Sequence, residues 1–113
     1  MLRIYADILA FQLVARDLVN RIRVHDASLG SQLRRSAQSI ALNTAEGMAA
    51  KGGVRRSAYA IALREARECS AAIEVAVRWG YVPAASAEVI EQLAKIQAIL
   101  GRLSVPAKVS PAT

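Results

Sequence analysis

Arg35, Ser39, Asn43 and Glu46 follow one another at intervals of four, four and three, the spacing that places side chains on one stripe of an α-helix. A cation, a hydroxyl, an amide and a carboxylate in such a row have two uses. An active site would need a general base beside a poised nucleophile, and neither His nor Cys lies near them in sequence. As structure, Arg35 pairs with Glu46 or with an acid of a neighbouring helix, and the stripe becomes a buried polar layer that fixes register. The structural use is the expectation.

A second group is basic. Lys51, Arg55, Arg56 and Arg67 have no obvious local acid, whereas Arg64 with Glu68 and Glu74 with Arg78 have the i,i+4 spacing of surface ion pairs. Arg16 and Arg23, on one edge of an earlier helix, make a second patch. Such cations suit the phosphates of RNA or DNA. No aromatic is interleaved among them, which argues against a stacking platform for single strands. The triplet Trp79-Gly80-Tyr81 reads as a helix terminus with an aromatic anchor. His25 beside Asp26 reads as a solvated loop residue, and the lone Cys69 as a small core residue. One thiol forms no intramolecular disulfide and no thiolate metal cluster. Phosphate-binding glycine loops, HExxH, CxxC and nucleophile elbows are all absent from the sequence. No catalytic residue, metal or cofactor is therefore expected.

These groups must be positioned by helices. Ile4, Ile8, Phe11, Ala15, Leu18 and Ile22 step by four and three, predicting a helix over about 5–23. Leu29, Leu33, Ala37, Ile40, Thr44 and Met48 predict a second over about 28–49, capped by Asp26 or Ser28. Gly52 and Gly53 break it. Tyr59, Ala62, Ala66, Cys69, Ser70, Ile73 and Val77 then line a third helix, which Gly80 ends and Pro83 keeps from resuming. Val89, Leu93, Ile96, Leu100 and Leu103 make the fourth, with Ser86 as its cap. Short connections predict one all-α domain over residues 1–103, an antiparallel up-down four-helix bundle. Residues 104–113, with Pro106 and Pro111, form a flexible tail.

Hydrophobic types make up 54% of the 113 residues and aromatics 4%, a helix-former's composition that excludes a small all-β fold. No charge-free run approaches the ~20 apolar residues of a membrane span, and the first helix continues through any would-be leader, so a cytoplasmic protein is expected. Fifteen basic residues against nine acidic give +6, which makes a polyanion the first partner to consider. Helices one and four also carry a second face each. Leu2, Leu9 and Leu13 lie nearly opposite the first core stripe, and Ala87, Ala94, Ala98 and Gly101 form a small-residue face opposite the leucines of the fourth. A large apolar stripe and a smooth face are the two halves of a close helix contact, so self-association is expected.

Phe11-Gln12 to Leu18, Leu29-Gly30-Ser31-Gln32-Leu33-Arg34-Arg35-Ser36-Ala37, Ser39-Ile40, Asn43, Ala45-Glu46-Gly47 and Gly80-Tyr81 resemble the bacterial four-helix-bundle proteins encoded in intervening sequences of 23S rRNA genes. The accessory variability proteins of diversity-generating retroelements share that fold. The resemblance spans about residues 8–103, departing at the Gly52-Gly53 and Arg55-Arg56 segment. It implies a basic homopentameric ring suspected of binding RNA or DNA, and for the retroelement relatives contact with a reverse transcriptase. It brings no catalytic residues. Two functions fit: a nucleic-acid-binding oligomer, or a protein-interaction scaffold whose charge complements a partner.

Overall fold

The chain, a computed structural model describing residues 2–106, folds into four helices: α1 (Arg3–His25), α2 (Ala27–Ala49), α3 (Gly52–Arg78) and α4 (Glu88–Leu103). Every residue of the predicted α1 stripe is buried. Leu33, Ala37, Ile40 and Thr44 of α2 are buried as well, with Leu29 and Met48 half-buried at its ends. On α3 the predicted positions from Tyr59 to Ile73 are buried, as are Leu93, Ile96 and Leu100 on α4. Of the predicted tail, residues 107–113 lie outside the described residues.

The chain turns at α1–α2 on one residue. Asp26 is extended, and its Oδ1 accepts the Leu29 N–H at 2.9 Å, satisfying one of the orphan donors of α2. Gly52 and Gly53 do not form a separate loop: α3 starts on Gly52, whose φ of +58° suits a residue without a β-carbon. At the other end of α3, Gly80 (φ +73°) donates to Val77 O at 3.0 Å and Tyr81 N–H to Ala76 O at 2.9 Å. That paired closure is a Schellman motif. Ser86 does not cap α4. It lies in a 3₁₀ turn over Ala84–Ala87, its N–H bonded to Pro83 O at 2.9 Å, and α4 has no side-chain cap.

Neighbouring helices run antiparallel, because partners on one helix rise in number as those on the next fall. Gln12 meets Ala37 while Arg23 meets Gly30; Ser36 meets Cys69 while Gly47 meets Tyr59; Gly101 meets Leu63 while Gln97 meets Ser70. One apolar core joins all four helices. Packing is closest between consecutive helices and sparse between α1 and α4. A groove of about 470 Å³ opens between that last pair, lined by Ile4, Phe11, Val14, Ile96 and Ile99, with Asp7 and Lys95 also contributing. Among the described residues no helix is long and apolar enough to cross a membrane.

Candidate functional site

The six cations singled out in the sequence do not form one surface. Lys51, Arg55 and Arg56 sit at the α2–α3 corner, and Arg67 lies eleven residues beyond Arg56 along α3, about 16 Å at 1.5 Å per residue. Arg16 is midway along α1, and Arg23 is near its C-terminus, at the opposite end of the bundle. Arg55 is not a free cation. Its Nε donates to Ala50 O at 2.7 Å and to Gly47 O at 3.0 Å, and Nη2 reaches Met48 O at 3.4 Å. A guanidinium there satisfies the orphan carbonyls of α2 and faces the negative end of its dipole. Arg16 Nε lies 3.7 Å from Asp17 Oδ1, the one ion pair among the described residues. Both groups are exposed, so the pair holds Arg16 weakly. The expected pairs Arg64–Glu68 and Glu74–Arg78 are not formed within ion-pairing distance. Arg23 stays exposed while its stem packs over Gly30, where a β-carbon would collide with Arg23 Cγ.

The polar stripe of α2 is not a buried layer. Arg35 and Glu46 are both exposed and unpaired with each other. At 100° per residue the stripe points more than a right angle away from the core residues Leu33, Ala37, Ile40 and Thr44, so burial of those four turns it outward. Asn43 Nδ2 instead donates to Ser39 O and Ser39 Oγ, each at 2.9 Å. Arg35 and Ser39 border a shallow cleft between α2 and α3 whose far wall is Glu65 and Glu68. Partial burial and the neighbouring Glu68 raise the Glu65 carboxyl above its ordinary value, opposed by Arg64 and Arg35.

Beneath that cleft Cys69 is a core residue, as expected. Ser36 Oγ lies 3.1 Å from its Sγ and within reach of Gln32 O and Leu33 O, at 2.9 and 3.1 Å. Either atom can donate in the Ser36–Cys69 contact, and a Ser36 hydroxyl turned toward sulfur favours the thiolate. Burial pushes the Cys69 pKa up to about 12, the serine bond opposing the shift.

Of the second faces, Leu9 and Leu13 are 45% and 60% exposed, and Ala87, Ala94 and Ala98 are exposed. Leu2 and Gly101 belong elsewhere. Leu2 packs against the end of the core, and Gly101 faces α3, where a β-carbon would stand 4.0 Å from Leu63 Cδ2.

An aromatic row at the α1–α2 end escaped the sequence reading. The His25 and Tyr81 rings stack with centroids 5.1 Å apart and planes 4° from parallel, and Trp79 lies 6.2 Å from Tyr81 at 30°. Tyr81 is the anchor, half-buried against the core. Trp79 is 71% exposed. The one available signal was the glycine stop at Gly80, which folds Tyr81 back toward the α1 terminus.

The model of the 23S rRNA-intervening sequence protein family matches residues 2–102, and the chain belongs to that family. A crystal structure of a protein with unknown function from the S23 ribosomal protein family of Bacteroides thetaiotaomicron VPI-5482 superposes with a TM-score of 0.81. The two are 23% identical over 89% of this chain and 97% of the other, a likeness of fold. No protein of curated description matches the chain.

Proposed function

We propose that this member of the 23S rRNA-intervening sequence protein family is a non-enzymatic, homo-oligomeric bundle that binds RNA or DNA through backbone phosphates. The observation that carries the reading is unneutralised charge: the chain bears +6, and a single, exposed ion pair is present among the described residues. Lys51, Arg56 and Arg67 are the contact residues, with Arg16 and Arg23 as a second patch; Arg55 serves the corner instead. Self-association is supported by the exposed Leu9 and Leu13 and by the apolar groove between α1 and α4. Five copies is the number the family resemblance implies.

A titration with RNA and DNA across salt concentration tests this. Log affinity should fall with log salt at a slope of about −0.9 per phosphate neutralised on duplex DNA and about −0.7 on single strands. Combined replacement of Lys51, Arg56 and Arg67 by Ala should flatten the slope. Absence of binding at low salt overturns the reading. The same apolar groove favours a second one, a scaffold acting through a protein partner such as a reverse transcriptase, and an intact oligomer that ignores nucleic acid would support it.

A further inference from the structure

We infer that the α1–α2 end of the bundle is a stacking platform for the unpaired bases of a single-stranded nucleic acid, with Trp79 as the contact residue. The inference rests on nucleic acid being the partner and adds which form it takes and where it binds. Trp79 is the only tryptophan of the chain, and it spends little of its large apolar surface on the core. Its neighbours hold it ready. Its backbone N–H bonds Val75 O at 3.0 Å, and it leans on Tyr81, which is fixed by the Schellman closure and stacked on His25. A ring on a fixed backbone with an aromatic neighbour loses less freedom when a base stacks on it than one on a mobile loop.

The surroundings suit a polyanion. Arg78 adjoins Trp79, Arg21 stands one turn before His25 on α1, and Arg23 lies on the same end; all three are exposed, and none has an acid within ion-pairing distance among the described residues. Of the acids at this end, Asp26 has its Oδ1 engaged in the α2 cap, while Glu74 and Glu88 are exposed. Val24, next to His25 in the chain, and Val75, one turn before Trp79 on α3, are exposed as well. Cations for phosphates beside an aromatic face for bases are the two parts of single-strand recognition. A duplex hides its base faces by stacking them on each other, so this end discriminates against it.

Trp79 is also the reporter. Its emission would be followed while the intact protein is titrated with a single-stranded oligothymidylate and with a duplex of equal length, binding being read independently from the anisotropy of labelled strands. The single strand should quench Trp79. Trp79→Ala should weaken single-strand binding about tenfold while leaving duplex binding and melting temperature unchanged, and Trp79→Phe should retain most of the affinity. Single-strand binding without quenching, or unchanged in Trp79→Ala, overturns the platform and leaves the phosphate reading standing. Absence of binding by either form at low salt overturns both. A fall in oligomer mass in Trp79→Ala identifies the patch as a contact between copies and overturns the platform.

Discussion

Gly47 of α2 stands directly against the ring of Tyr59 of α3: a β-carbon on it would lie 2.5 Å from Cε1 and 2.8 Å from Cδ1. Tyr59 is itself only 2% exposed, and three of its ring atoms would lie within 2.9 Å of that β-carbon, so the ring must be displaced to admit one, toward the pocket it shares with Leu2, Met48 and Arg55. The close approach of the two helices next to their connecting corner depends on that missing side chain.

Gly47→Ala should therefore lower stability despite the better helix propensity of Ala, worth about 1 kcal/mol. Overpacking against a buried ring costs about 1–3 kcal/mol. Gly101→Ala is the contrasting case, since its β-carbon would sit 4.0 Å from Leu63 Cδ2 and it should gain a fraction of the propensity difference. Urea unfolding of both variants checks the opposite signs.

Arg55 and Arg56 are neighbours with different work. Arg55→Ala removes the guanidinium from three carbonyls at the end of α2 and should cost about 1 kcal/mol, because the site is solvent-exposed. Arg56→Ala should stay within about 0.5 kcal/mol of wild type, the range of substitutions that break no buried contact, and weaken nucleic-acid binding. Equal stabilities would show that Arg55 does not cap the helix.

Cys69 is 0% exposed, and its folded pKa of about 12 lies above the ordinary value of 9.0. Raising the pKa favours the neutral thiol in the fold, so this contribution to stability is complete below pH 9 and is lost as pH rises from 9 toward 12. Within that window the slope is about 1.4 kcal/mol per pH unit. Comparing wild type with Cys69→Ala over the range isolates it. Alkylation at pH 8 should be negligible in the native protein and complete in denaturant.

Leu13 makes its contribution outside the protomer if the bundle self-associates. Leu13→Glu should leave helicity intact, because the side chain is 60% exposed, and should reduce the mass measured in solution. A mass equal to that of wild type would remove the Leu9–Leu13 face from the interface. A wild type that is itself monomeric at micromolar concentration would remove the oligomer.

Helix number, helix order and the buried positions were legible because the 3.6-residue period and the Asp26 and Gly80 stop signals are local properties of the chain. Which polar residues met one another was not. The stripe from Arg35 to Glu46 lies more than a right angle from Leu33, Ala37, Ile40 and Thr44 at 100° per residue, so its outward turn follows from the same periodicity; only the packing of α3 on α2 set Arg35 and Ser39 across a cleft from Glu65 and Glu68. Arg55 read as a free cation because its acceptors are backbone carbonyls, which any residue carries and no sequence distinguishes. His25 and Tyr81 are 56 positions apart, and they meet only because the α3–α4 connection folds back across the end of α1. The chain's own pattern thus determined four helices and their apolar stripes, by local periodicity. The tertiary fold decided which cations remain free, which glycine is compressed and where an aromatic surface forms, because those depend on distances between helices rather than along them.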